Sequence, residues 1–309
     1  MPERTRKKGI DQFIKPSISL VPVAMGELPH TLGVRWSDGH FLIQEALIAM
    51  PGAGARTMKA LHEHAPSGER LTGFDSPIIW KMTDAALGPK IDAAGNIYIA
   101  EIVRPKGWLC PPELKALIAD VPAERRDDLT RRFGALYGSI VKFSPKGGMF
   151  HFETAERGKD RGPDPFKGTP RLDGLRTVEY DYFYNTLQPV KVTGAEWVHP
   201  GIGHVGLYGC NCENVTFDVD EFGRVFFPDL ALYRVRVIDT AGNPITHFGG
   251  YGNPESAGPG SDIPNPELAF AWLAGVGVTD RYAYMGDTDN RRLLRAKLTY
   301  VVEETCPVP

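Results

Sequence analysis

The stretch VTFDVDEFGRVFFPDLALYRVRVIDTAGNPITHFGG, residues 215–250, decides the fold of this chain. Val215, Phe217 and Val219 alternate with more polar neighbours, Val225 and Phe227 follow the turn DEFG, and Val235 and Val237 continue the pattern. Alternation with period two marks a strand with one buried face. The turn AGN then leads to ITHF, a short outer strand. Four short strands joined by tight turns within these 36 residues make one antiparallel meander.

The heart of this unit recurs. A glycine or turn residue followed six positions later by an acid occurs at Gly39 to Glu45 in SDGHFLIQE, Gly95 to Glu101 in DAAGNIYIAE, Gly223 to Asp229 in DEFGRVFFPD and Arg281 to Asp287 in DRYAYMGD. Each copy has an acidic turn, a short apolar run and then a carboxylate, the pattern of a tight hairpin feeding a strand. Copies spread through 309 residues predict an array of small sheets. The commonest closed form of such an array is a β-propeller, so the expected fold class is all-β with four-stranded blades in a single domain over residues 1–309. Asp229 precedes Arg234 by five positions and Asp287 precedes Arg292 by five. Each pair is read as fixing a hairpin through a charge-assisted hydrogen bond.

Outside the clear copies the pattern changes. Ser139 in GSIVKFSPKGG takes the place of Arg234 in the repeat, which leaves 33 extra residues after Glu101. Within them PPELKALIAD and DVPAERRDDLTRRFGALYG predict two helices, the second with Asp120 as N-cap, Pro122 in its first turn and Gly138 beyond its end. A helical hairpin over residues 105–137 is therefore expected inside one blade, as a lid or docking surface. TVEYDYFYN and PVKVTGAEWVH read as two strands of a degenerate blade. In the opening 88 residues SISLVPVA, TLGVRWSDGHFLIQEALI and SPIIWKMTD read as strands, whereas GARTMKALHEHAP reads as a helix carrying His62 and His64 on its exposed face. If a ring closes, SISLVPV pairs with the blade ending in LLRAKLTYV and removes the free edges. Residues 1–16, with Arg4, Arg6, Lys7 and Lys8, are expected to be a flexible, solvated terminus.

The stretch at 215–250 resembles an NHL repeat, whose blades read VD-x-x-G-x-[IV]-[YF]-[VI]-x-[DE], then x-x-N-x-R-[VI], then a D-x-x-G turn. DTDNRRLLRAKL carries the second half of that signature with Asp287, Asn290 and Arg292. From GAEWVHPG through DNRRLLRAKLTY, with the copy near 90–148, the chain is similar to the NHL-type segment of large bacterial propeller proteins. The resemblance implies a six-bladed propeller. It leaves activity open, because the family includes binding platforms as well as lyases and lactonase-like enzymes.

Composition excludes several classes. A formal charge of -3, from 35 basic and 38 acidic residues, supplies no electrostatic footprint for nucleic acid or an anionic membrane. No apolar run reaches the length of a membrane span, and SISLVPVAM is broken by Pro22 where a signal peptide would be continuous. The four cysteines, Cys110, Cys210, Cys212 and Cys306, are too few for a disulfide framework. The expected protein is a soluble, cytoplasmic monomer, or a periplasmic or secreted one if the chain belongs to a longer precursor.

The sharpest candidate site is WVHPGIGHVGLYGCNCEN, which gathers His199, His204, Cys210 and Cys212 within 14 residues. Two imidazoles and two thiolates suit zinc first and copper second, with Cys110 as a further candidate ligand. The competing reading places the cysteines on one face of an inner strand and the histidines on a loop surface. His151 and His247 are assigned to outer strands. Tyr180, Tyr182 and Tyr184 share a strand face that suits ligand stacking or core packing. Glu255, Asp262 and Glu267 in YGNPESAGPGSDIPNPE lack the regular spacing of a calcium loop. No phosphate loop, HExxH or GxSxG element is present, so the first expectation is a non-catalytic binding or scaffolding module for a protein or small-molecule partner. The alternative is a metal-dependent NHL-type lyase or lactonase-like hydrolase in which Glu196 or Glu213 moves a proton.

Overall fold

Hydrogen bonds across turns of identical design hold the meanders together. In a computed structural model, residues 32–35, 37–46, 59–73, 76–83, 85–152, 172–184, 186–205, 215–256 and 258–299 are described. The described residues are mostly β, and the chain forms two compact units, Met1–Asn214 and Val215–Pro309.

In the first unit, β1 (Leu32–Val34), β2 (Phe41–Ala46), β3 (Lys59–His64) and β4 (Ile79–Met82) pair antiparallel in sequence order. Next come β5 (Leu87–Ile91), β6 (Ile97–Glu101), β7 (Val103–Arg104), α1 (Pro112–Ala119), α2 (Ala123–Leu136), β8 (Tyr137–Phe143) and β9 (Gly148–Phe152). The unit ends with β10 (Thr177–Tyr184), β11 (Thr186–Thr193) and β12 (Ala195–Gly203). Strands β5, β6, β8 and β12 are neighbours in one antiparallel sheet, so β8 resumes beside β6 after the helices. The first meander does not stand alone. Its last strand β4 pairs parallel with β9, which continues through β11 and β10 to β7, giving eight strands in one sheet.

In the second unit, β13 (Asp218–Val219), β14 (Val225–Asp229), β15 (Arg234–Ile238) and β16 (Pro244–Phe248) form the four-stranded meander expected at 215–250. The short parallel pair β17 (Gly250–Tyr251) and β18 (Ala269–Phe270) leads to β19 (Leu273–Val278), β20 (Tyr282–Asp287) and β21 (Arg292–Lys297), a three-stranded antiparallel sheet. Phe226, Leu230, Val235 and Val237 pack against Phe270, Leu273, Val276 and Met285, all buried. Burial of such side chains contributes about 1.5–3 kcal/mol each relative to exposure, which makes this face the main support of the unit.

The turns explain the acidic and glycine positions. Asp92, Asp220 and Asp239 each accept two backbone N–H bonds on Oδ1, from the residues two and four positions on. The backbone closes the same loop each time, and Gly95, Gly223 and Gly242 take φ of 82°, 75° and 85°. That left-handed conformation favours glycine, so the acid and the glycine are one device. The acids ending the second strands are equally structural. Glu101, Asp229 and Asp287 face Ser139, Arg234 and Arg292 in the same cross-strand position, and all three acids are fully buried. Arg234 Nε donates to Asp229 Oδ2 at 3.1 Å and Arg292 Nε to Asp287 Oδ2 at 3.2 Å.

Several sequence expectations give way to tertiary context. Lys59–His64 is a strand rather than a helix, with Lys59, Ala60, Leu61, His62 and His64 buried. β2 and β4 supply hydrogen-bond partners on both of its edges, and these outweigh the helix propensity of Ala, Leu and Lys. Pro122 is the N-cap of α2, while Asp120 ends α1. Gly138 lies within β8, which follows α2 directly. PVKVTGAEWVH is two strands, not one: Gly194, at φ of 85°, turns the chain where a Cβ would meet the Gly147 carbonyl oxygen at 2.5 Å. His151 lies in β9, between β4 and β11, and its Nε2 meets Thr193 Oγ1 at 2.9 Å. His247 is exposed on β16.

His62 gives a pH prediction. Burial pushes its imidazole down to about 4, with the Arg70 charge adding to the shift. The unfolded group titrates near 6.5, so the unfolded chain takes up the proton first as pH falls. The stability associated with the neutral ring is intact above about pH 6.5 and is lost, on the order of 3 kcal/mol, as pH falls to about 4. Urea midpoints measured between those limits should drop in the wild type and flatten in His62→Asn. An unchanged slope in that variant would exclude His62 as the source.

Candidate functional site

Four polar side chains meet where the β1–β2 turn faces the end of β3. The turn closes through Arg35 N–H to the His40 carbonyl and Gly39 N–H to the Arg35 carbonyl, both at 2.8 Å. This places Arg35, Asp38 and His40 on one side, while alternation along β3 buries His62 and His64 and turns Glu63 the other way. Arg35 donates through Nε and Nη2 to Asp38 at 2.9 and 2.7 Å and through Nη2 to Glu63 Oε1 at 3.0 Å. His40 Nδ1 meets the same Glu63 oxygen at 2.9 Å. A carboxylate only accepts, so this contact places a hydrogen on Nδ1. The hydrogen bonds from Arg35 hold the Asp38 carboxyl down to about 2, and the two carboxylates raise the guanidinium above its ordinary value.

The network borders a shallow recess of about 20 Å³, room for about one or two water molecules. Leu42, Ile78, Ile91, Ile97 and Pro145 form its apolar walls, and Arg35 and Glu63 are its charged members. Among the described residues, no group engages Arg35 Nη1 or Glu63 Oε2. The site therefore offers one donor group and one acceptor beside aliphatic carbon. Its volume is far below the range usual for ligand pockets, so a ligand here would lie against the surface around the ion network rather than inside the recess.

His199 is half-buried on β12, opposite Ile140 of β8, and His204 is buried just beyond the end of β12. Cys210, Cys212 and Glu213 lie outside the described residues. Cys110 is buried, and burial pushes its thiol up to about 11, away from the thiolate a metal needs. Glu196 pairs with Lys142 Nζ at 3.1 Å. Tyr182 and Phe183 are buried and Tyr180 is half-buried, which favours packing over a stacking strip. Among the described residues, no three His, Cys, Asp or Glu side chains converge as a metal site. The signal for the Arg35 network was present in the sequence as HEH, a period-two pattern that fits a strand as well as a helix.

No protein-family model and no curated protein matches the chain. Among solved structures, an auxiliary nutrient binding protein from Bacteroides ovatus ATCC 8483 aligns with 90% of this chain and 60% of its own, at 12% identity and a TM-score of 0.29. The chain thus spans less than two thirds of that protein's length. A gluconolactonase from Xanthomonas campestris aligns with 83% of this chain and 82% of its own, at 9% identity and a TM-score of 0.25. Likenesses of this size assign neither a fold nor an activity to the chain. Among the described residues, no helix is long and apolar enough to cross a membrane.

Proposed function

We propose that the protein is a non-catalytic binding module, a six-bladed β-propeller of NHL-like blades, that takes a small polar ligand on the surface beside the Arg35–Glu63 ion pair. The observation carrying this reading is a half-buried ion network bordering a recess with aliphatic walls, with Arg35 Nη1 and Glu63 Oε2 unengaged among the described residues. Small-molecule sites typically combine apolar walls with a few fixed polar groups. The ring reading draws support from the shared register of Glu101, Asp229 and Asp287, which repeats one strand-pairing rule through the chain.

Saturation-transfer NMR on the full chain tests the binding reading, with D-glucose, L-alanine, succinate and N-acetylglucosamine as separate probes. Transfer to at least one of them, lost in a folded Glu63→Leu variant, is the expected result. No transfer to any probe, or transfer unchanged in the variant, would overturn the assignment of this surface.

A further inference from the structure

We infer that the open face of the sheet formed by β19, β20 and β21 binds an acidic glycan, a polymer of hexuronate units that each carry one carboxylate. Alternation along β20 buries Ala283, Met285 and Asp287 and turns Tyr282, Tyr284 and Gly286 to the other side. Cross-strand pairing then sets Lys297 beside Tyr282, Arg295 beside Tyr284 and Leu293 beside Gly286. The face is aromatic and basic. Leu293 is 73% exposed, Arg295 and Lys297 are exposed, and both tyrosines are half-buried. On its other flank Tyr284 pairs with Gly277 of β19. A Cβ at Gly286 would meet nothing within 4 Å, and one at Gly277 only Asp218 Oδ2 at 3.9 Å, so the ground beside the Tyr284 ring is open at both positions.

Arg295 Cζ lies over the Tyr282 ring, 4.5 Å from its centre, and among the described residues no acceptor engages its N–H groups or the Lys297 ammonium. A guanidinium held against a ring keeps its edge for a carboxylate, which it can take with two parallel N–H bonds. The pyranose ring of the same unit presents C–H groups to Tyr284, whose ring face is the negative pole of its quadrupole. One hexuronate therefore uses both side chains. Of the nearby acids, Asp218 already accepts the Val278 N–H through Oδ2 at 2.9 Å, and Asp280, just before β20, stands 3.5 Å from Arg281. The remaining charge is positive. A neutral glycan leaves the two cations without a partner, a run of acidic residues in a peptide lacks the flat ring, and a nucleic acid needs more phosphate contacts than two cations supply.

The test immobilises the full chain and passes over it oligogalacturonate, dextran, poly-L-glutamate and polyuridylate in turn. This face belongs to the second unit, so the result is independent of the reading of the Arg35–Glu63 surface. Binding of oligogalacturonate is expected, about tenfold tighter than that of poly-L-glutamate or polyuridylate, with none of dextran. Arg295→Gln and Tyr284→Leu should each weaken it about tenfold, with circular dichroism confirming the fold. Added salt should weaken it as well. If Tyr284→Leu fails to fold, Arg295→Gln and the poly-L-glutamate comparison carry the test. No binding of oligogalacturonate, the result that another sheet lying over this face would give, would overturn the inference. Equal binding of dextran, poly-L-glutamate or polyuridylate, or binding unchanged in a folded variant, would overturn it too.

Discussion

Asp287→Ala is expected to cost the second unit about 3–5 kcal/mol, the range for removing one partner of a buried ion pair. Asp287 is fully buried at the end of β20. Its Oδ1 accepts the backbone N–H groups of Ala271 and Trp272 at 3.1 and 3.0 Å, and its Oδ2 accepts Asn290 Nδ2 at 2.6 Å and Arg292 Nε at 3.2 Å. Arg292 in turn donates to the Ala269 carbonyl. Alanine strips four donors of this acceptor beside the core of Phe270, Leu273 and Met285. Donors left without a partner in a buried place carry most of the cost. Asp287→Asn should be intermediate, because its carboxamide keeps one acceptor oxygen and turns an N–H₂ toward neighbouring donors. The check is urea denaturation of the full chain with hydrogen exchange. Protection should fall across residues 269–297, and a midpoint within experimental error of wild type would refute the structural role.

Arg104→Met should be nearly as damaging, about 3–5 kcal/mol, but in the first unit. The guanidinium is 1% exposed on β7 and is satisfied by carbonyls rather than by a carboxylate. Nη1 donates to Leu109 O at 3.0 Å, and Nη2 donates to Gly134 O at 3.1 Å and to Tyr137 O. These acceptors lie before α1, near the end of α2 and at the start of β8, so one side chain gathers both ends of the helical segment. The rings of Trp108 and Phe183 lie 5.9 and 5.7 Å from its Cζ, a distance at which cation–π attraction contributes. Methionine fills similar space but donates nothing, leaving the carbonyls unpaired. Arg104→Lys should recover only part of the loss, because an ammonium cannot spread its donors in a planar fork. Exchange in residues 112–136 should accelerate in both variants. If Arg104→Met leaves those amides as protected as in wild type, the guanidinium is not the clamp.

The parts of the fold that could be read in advance share a physical property. Asp229 and Arg234, or Asp287 and Arg292, become cross-strand partners through a connection of a few residues, so sequence spacing nearly dictates their contact. The D-x-x-G turns belong to the same class, since an aspartate side chain and a left-handed glycine act within five residues. Even the displaced third strand kept its phase, because Glu101 can face only one residue of β8 if both inner faces are buried, and that residue is Ser139.

The candidate site was not legible for the opposite reason. Arg35 and Glu63 are 28 positions apart, and they meet only because β2 and β3 pair in one register, with Leu42 opposite Glu63. That register could not be read while Lys59–His64 passed for a helix. Alternation in a short run cannot tell a strand from a helix when both faces end up covered. His62 and His64 are buried by neighbours that the local sequence does not name, and the parallel pairing of β4 with β9 joins residues about seventy positions apart.

By itself, then, the sequence determined the repeating hairpin: which acids cap turns, which acids face arginines, and which side of each strand is apolar. Those follow from interactions over a few residues, where chain geometry leaves little choice. Only the tertiary structure decided that β3 is a strand, that the acid on it turns away from its two buried histidines, and that Arg35 and His40 share that acid beside an aliphatic recess. Such contacts depend on which distant strand supplies the partner, a choice made by burial of the whole sheet rather than by any segment of it.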